Sequence, residues 1–235
     1  MNNKHVIELK NITKKFVLGG METLALRSVN LNVTQGEYLS ISGPSGCGKS
    51  TLLNILGLLD SPSTGTYTIA GNDVSNLDVN QRATLRNKHI GFVFQSFNLI
   101  DELNVFDNIA LPIKYSSTAL SSIALKERVM TCLELVQMTH RAEHKPNQLS
   151  GGQQQRIAIA RALANQPDIL LIDEPTGNLD SKNGDAVMNM LSDLNAQGTT
   201  MCMVTHDPRY ADMAKRKLFL LDGVMVDEMN LEMVG

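Results

Sequence analysis

The sequence predicts an α/β fold: a parallel sheet at the core, an antiparallel β subdomain beside it, and an α-helical subdomain inserted into it. Three observations carry that expectation. A glycine-rich loop, Gly43-Pro44-Ser45-Gly46-Cys47-Gly48-Lys49-Ser50-Thr51, stands between an apolar strand at residues 39–42 and a helical run. Continuous apolar runs at 169–173 and 200–204 alternate with a helical stretch at 184–195, the rhythm of parallel strands joined by crossover helices. Between residues 95 and 163 the pattern turns mainly helical.

The elements follow from period and punctuation. Residues 6–9 and the alternating stretch 24–33 read as antiparallel strands, closed by the turn Gln35-Gly36 before residues 37–42 enter the glycine-rich loop. Residues 52–59 continue as an apolar helix, ended by the breaker cluster Ser61-Pro62-Ser63-Thr64-Gly65. A strand resumes at 67–70 before the turn Gly71-Asn72-Asp73, and the apolar run 90–94 leads to Gln95. Residues 104–115 and 121–138 read as helices, with Pro112 and Ser116-Ser117-Thr118 as punctuation, and residues 154–163 as a third, opened by Ser150-Gly151-Gly152. Residues 217–227 form a hairpin around Asp222-Gly223, with only a short end expected after it and no appended regulatory domain. The whole of 1–235 is thus expected to be one domain, with a nucleotide-binding core from about 1–94 and 164–235 and a helical subdomain from about 95–163.

Composition narrows the classes of function. The net charge is −3 without any basic run, so no nucleic-acid footprint is present. Cys47, Cys132 and Cys202 fit neither a disulfide framework nor a metal pattern, which points to a reducing compartment. The first ten residues lack a signal-peptide core, and no stretch approaches the roughly 20 apolar residues that span a bilayer. A soluble, cytoplasmic protein is expected.

The chemistry begins with the loop. Its form, GxxxxGK[ST], lets backbone N–H groups and a helix N-terminus face a polyphosphate. Lys49 adds a point charge for the β- and γ-phosphates, and the Ser50 hydroxyl is placed to ligate Mg2+. Leu149-Ser150-Gly151-Gly152-Gln153 supplies a second anion-binding helix N-terminus, which one nucleotide does not need in cis. Cys47, beside a helix N-terminus and two residues before Lys49, reads either as a thiolate-prone, reactive thiol or as a small residue tolerated in the loop.

The two motifs together resemble the ATP-binding-cassette (ABC) ATPases over essentially the whole chain, and further motifs fall in that family's order. Ile169-Leu170-Leu171-Ile172-Asp173-Glu174 matches its Walker B strand, with Ile172 where Ala is frequent. Gln95 matches the Q-loop, His206 in Thr205-His206-Asp207 the switch histidine, and Asn178-Leu179-Asp180 the D-loop. Phe16 stands where an aromatic, in many members Tyr, stacks on adenine, although an aromatic near a strand end is otherwise a core residue. The resemblance implies a P-loop NTPase core binding ATP and Mg2+, with Ser50, Gln95 and Asp173 around the metal. It implies Glu174 as the group that polarises the attacking water, His206 on the γ-phosphate and Gln95 as the link to the helical subdomain.

It also implies partners. Two copies arranged head to tail would sandwich each ATP between one copy's phosphate loop and the other's Ser150, Gly151 and Gly152. The stretches 53–60, 90–99 and 173–180 resemble the bacterial lipoprotein-release and macrolide-efflux (LolD/MacB-like) branch, whose cassettes drive separate membrane permease subunits. A cell-division-type cassette that signals across the membrane without moving a substrate shares that branch and stays open as the alternative. The coupling groove is expected in the helical subdomain near residues 97–103. The cargo is not written in a cassette that touches only the permease.

Overall fold

The computed structural model describes residues 4–227, so the short end after Asp227 lies outside the described residues. The chain opens with two 14-residue strands, β1 (His5–Leu18) and β2 (Met21–Thr34), paired antiparallel. Both run far beyond the expected 6–9 and 24–33. Register shifts between Leu9 and Ile12, Ile12 and Lys14, and Lys14 and Lys15 break the period-two pattern that would have revealed the full length. β3 (Tyr38–Ser42) then enters the glycine-rich loop, and α1 (Lys49–Leu56) leaves it.

Helix α1 ends three residues earlier than its apolar run. Gly57 caps it, Leu58 turns to φ +55°, and the Phe92 ring lies where a Cβ on Gly57 would stand. β4 (Thr64–Ile69) and the two-residue β5 (Asn72–Asp73) complete a four-stranded antiparallel sheet in the order β2-β1-β4-β5. α2 (Val79–His89) was not expected, because only His89 on it is buried and no apolar stripe marks it. Its one signal is the capping box of Asp78 and Gln81.

β6 (Ile90–Val93) precedes the helices α3 (Val105–Lys114), α4 (Ser122–Leu135) and α5 (Gly151–Leu163), with short 3-10 turns at Thr139–Arg141 and Pro146–Gln148. The chain returns through β7 (Ile169–Asp173), α6 (Ser181–Ala196), β8 (Met201–Val204) and the single-turn α7 (Pro208–Ala211) to the hairpin β9 (Arg216–Leu221) and β10 (Val224–Asp227). Helices α5 and α6 each begin three residues before their expected starts, because Ser150 and Asp180 cap them by accepting the amides of Gln153 and Asn183. The second sheet runs β10-β9-β3-β8-β7-β6, parallel throughout except at β10.

The parallel sheet separates two apolar cores. Leu170 and Ile172 of β7, with Met201 and Met203 of β8, face the core shared with α3, α4, α5 and α6. Ile169 and Leu171, with Cys202 and Val204, face the core shared with α1 and the antiparallel sheet. Strands buried on both faces read as continuous apolar runs for this reason.

Helix α5 crosses β6 so closely that no side chain fits at Gly91, where a Cβ would sit 2.3 Å from the Ala162 carbonyl oxygen and 2.6 Å from Leu170 Cδ2. Gly91→Ala must therefore push α5 off the sheet. The expected loss is about 1–3 kcal/mol, read as a Tm lowered by roughly 2–4 °C per kcal/mol in thermal denaturation. An unchanged Tm would contradict this packing.

Candidate active site

The carboxyl ends of β3, β7 and β8 lie side by side, Ile41 opposite Val204 and Val204 opposite Asp173. The loops that leave these strands enclose a cleft of about 440 Å3. Gly43, Ser45, Gly46, Gly48, Lys49, Ser50 and Thr51 line it together with Gln95, Asp173, Glu174 and His206, so eleven of the residues expected at the site converge there. Ala25 and Val204 complete the lining.

The glycine-rich loop is shaped for an anion. Gly48 caps α1 at φ +109° with no side-chain acceptor, and the first turn carries no acidic residue, so the helix N-terminus keeps its donors and its positive end. A side chain at Gly48 would stand 2.5 Å from the Ala25 carbonyl oxygen, which ties the loop to β2. The Lys49 ammonium donates to the carbonyls of Gly43 at 2.7 Å and Pro44 at 2.9 Å. Cys47, by contrast, turns inward: it is 4 % exposed and belongs to the core between α1 and the antiparallel sheet. The expectation of a reactive loop thiol is therefore corrected, since a buried sulfur is closed to a bulky reagent. Cys132 and Cys202 are buried as well, and burial pushes their thiols up to about 11 and about 12.

Two carboxylates end β7. Burial first, and the neighbouring Glu174 second, push the Asp173 carboxyl above its usual range, with Lys49 pulling the other way. Glu174 adopts φ +45°, an unusual conformation for a non-glycine residue, and its amide donates to the Val204 carbonyl at 2.9 Å. This turn brings its carboxylate to His206, whose Nδ1 lies 2.8 Å from Glu174 Oε1. The Thr205 hydroxyl, fully buried, donates to the other carboxylate oxygen at 3.5 Å. Sequence reasoning assigned nothing to Thr205; its signal was its place directly before His206.

Gln95 follows β6 and packs over Gly177, where a Cβ would be 2.4 Å from Gln95 Nε2. Its carbonyl accepts from Asn178 Nδ2 at 3.0 Å, so the segment after Glu174 holds the segment after β6. Among the described residues no group of three or more His, Cys, Asp or Glu side chains could hold a metal. The oxygen donors of Ser50, Gln95 and Asp173 around one cleft instead fit Mg2+, which takes few protein ligands and relies on phosphate and water for the rest. The raised Asp173 carboxyl, only partly offset by Lys49, fits a cation there.

The remaining expected residues lie outside the cleft lining. Ser150 and Gln153 close a capping box on α5, and Gly151 packs against Leu179, with its Cβ position 3.3 Å from Leu179 Cδ2. Gly152 leaves only 2.8 Å between a Cβ and Asn183 Oδ1. Asp180 accepts from the Asn183 amide at 2.9 Å and from its side chain at 2.6 Å, which holds its carboxyl below the usual range. Ser150-Gly151-Gly152-Gln153 thus starts its helix beside the Asn178-Leu179-Asp180 turn of the same chain. Phe16 is 40 % exposed on β1, with the Lys14 ammonium 5.1 Å from its ring centre. Pro44 is exposed on the loop.

A larger cleft of about 720 Å3 shares no residue with the first. Ile90, Phe92, Phe94, Leu111, Pro112 and Tyr115 give it an apolar wall, and Arg86 and Arg161 are its charged residues. Of residues 97–103, Asn98 lines this cleft.

Comparison with known proteins agrees with this geometry. The family model described as ABC transporter matches residues 26–177. The ABC transporter ATP-binding protein MJ0796 of Methanocaldococcus jannaschii is 48 % identical over 230 residues, covering 96 % of this chain and 97 % of that protein. The macrolide export ATP-binding/permease protein MacB of Chlorobaculum tepidum is 45 % identical over 223 residues, 95 % of this chain but 34 % of MacB. The structure of the MJ0796 cassette as a dimer in a post-hydrolysis state with ADP and Pi superposes with a TM-score of 0.84 at 45 % identity, over 94 % of this chain and 98 % of that one.

The raised Asp173 carboxyl has a consequence for stability. A proton binds it more tightly in the folded chain than in the unfolded one, so its contribution is favourable at acid pH and is lost as pH rises through its folded-state value. At neutral pH Asp173→Asn should therefore raise the Tm of the nucleotide-free protein in thermal denaturation, while Mg2+-dependent ATP binding is lost. A lowered Tm would show that Asp173 is not held against its own charge.

Proposed function

Because the chain belongs to the ABC transporter family, we propose that it is the ATP-hydrolysing subunit of a bacterial transporter, closing as a head-to-tail dimer around two ATP and driving separate membrane permease subunits. It is an ATPase of that family, with ATP and Mg2+ as substrate and cofactor. The observation that carries the reading is a division: one cleft gathers the phosphate loop, both carboxylates, Gln95 and His206, while Ser150, Gly151 and Gly152 are absent from its lining. A second copy related by a two-fold axis supplies those donors to the γ-phosphate. The dimeric assembly of the MJ0796 cassette supports this arrangement.

In this reading the loop amides and the start of α1 receive the phosphates, and Lys49 exchanges the Gly43 and Pro44 carbonyls for phosphate oxygens. Ser50, Asp173 and Gln95 would hold the Mg2+, which when bound would neutralise phosphate charge. Glu174 accepts the proton of the attacking water, and His206, held at 2.8 Å from it, contacts the γ-phosphate. Phe16 stacks on adenine, and Asp180 meets the partner across the dimer axis. Residues 95–163 act as the helical subdomain, moving with Gln95 through its contacts to Gly177 and Asn178.

Among the described residues no helix is long and apolar enough to cross a membrane. The chain reaches the membrane through its partner, and the 720 Å3 cleft is the seat for a cytoplasmic helix of the permease. The MacB relative, a macrolide export ATP-binding/permease protein, supports a permease partner and export as the direction of transport, with a macrolide, peptide or lipoprotein as the cargo in this reading.

Glu174→Gln keeps the shape of the side chain but removes the base, so the closed dimer should accumulate. Light scattering should show a dimer with Mg–ATP and a monomer with ADP; a monomer under saturating ATP would count against the composite site. Tyr115, 77 % exposed at the edge of the larger cleft, tests the docking. Tyr115→Glu should leave ATP affinity unchanged and lower the protein recovered with the membrane fraction, and equal recovery would remove this cleft as the seat.

A further inference from the structure

We infer that Tyr210 and Asp185 form a positioning pair that keeps His206 against Glu174, an inference that rests on reading those two residues as the hydrolytic pair. The His206 side chain is 72 % exposed, so packing does not orient its ring. The backbone of residues 205–207 must do so instead, fixed on one side by the Thr205 amide on the Ile41 carbonyl at 3.3 Å and on the other by α7, which begins after Asp207.

A four-residue helix has no stability of its own. Helix α7 is held by Asp207, which caps it by accepting the Arg209 amide at 3.0 Å, and by the Ser40 hydroxyl, which donates to the Ala211 carbonyl at 3.1 Å. The third anchor is Tyr210. Its ring is buried, the Arg209 guanidinium lies 4.9 Å from the ring centre, and its hydroxyl donates to Asp185 Oδ1 at 2.9 Å. Burial and this bond raise the phenol above its ordinary value, so it stays a donor.

Asp185 sits on α6, which starts from Asp180 in the turn that leaves Glu174. That turn is closed by the Gly177 amide on the Glu174 carbonyl at 3.0 Å and the Leu179 amide on the Thr176 carbonyl at 3.0 Å. The Tyr210–Asp185 bond therefore completes a ring: Glu174, the turn, α6, Asp185, Tyr210, Asp207, His206 and back to Glu174. At Gly184 the elements meet, a Cβ there standing 2.8 Å from the Tyr210 hydroxyl and 3.5 Å from Thr176 Cβ. Cutting the ring leaves His206 and Glu174 joined by their own contact, by Thr205 and by the β7–β8 pairing that ends at the Glu174 amide on the Val204 carbonyl, with α7 no longer tied to α6. A small displacement of a base from its water is costly in rate and nearly silent in binding.

The test is steady-state hydrolysis of Mg–ATP by the full chain. Tyr210→Phe and Asp185→Ala should each lower kcat by about tenfold with KM for ATP within about twofold of the parent. The double variant should be no slower than the worse single one, and Asp185→Asn, which keeps an acceptor, should retain most activity. If Tyr210→Phe melts well below the parent, the exposed Asp185 variants carry the test. Parent kcat in Tyr210→Phe or Asp185→Ala, losses that multiply in the double variant, or equal impairment by Asp185→Asn and Asp185→Ala would overturn the pair. His206→Ala separates the two claims: parent turnover there refutes the hydrolytic pair itself, whereas its loss beside a fully active Tyr210→Phe refutes only the positioning.

Discussion

The in-register pairing of three parallel strands is the constraint on which the site depends. β3 delivers the phosphate loop, β7 the two carboxylates and β8 the Thr205-His206 segment, and the pairing of Ile41 with Val204 and of Val204 with Asp173 sets all three at one level. A slip by one residue would turn every buried side chain of a strand to the opposite core. The two cores thus enforce the alignment of polar groups that they do not touch. Leu170 and Ile172 fill the core on one face of β7, and Ile169 and Leu171 the core on the other.

Around that edge, absent side chains place the helices. Gly91 admits α5 against β6, Gly152 admits Asn183 against the start of α5, and Gly177 admits Gln95 over the turn after Glu174. Each is a contact that a single methyl group would separate. The start of α5, the Asn178-Leu179-Asp180 turn and Gln95 are consequently neighbours within one chain, although they are far apart in sequence.

Much of this was legible because it is written locally. The phosphate loop and the apolar runs of β7 and β8 are each complete within a few residues, and the resemblance ordered them correctly. What escaped depends on tertiary placement. The length of β1 and β2 was hidden by bulges that cancel the alternation, and α2 by the lack of an apolar stripe. Residues 52–59 could not show that α1 ends at Gly57, beneath the Phe92 ring. Cys47 shows the limit most clearly: its position in the loop suggested a thiol facing the phosphates, but which way a loop side chain points is decided by the core behind it. Thr205, likewise, shows a role only once Glu174 is folded back at φ +45°.

The alternation of β7 and β8 between two cores has a consequence for how the protein comes apart. Each strand lends half of its side chains to the layer containing α3, α4 and α5 and half to the layer containing α1 and the antiparallel sheet. Neither layer can melt without stripping one face of these shared strands and exposing apolar surface from the other. Despite the insertion of some seventy residues between β6 and β7, the two layers are therefore coupled through the strands they share, and loss of either one destabilises the other.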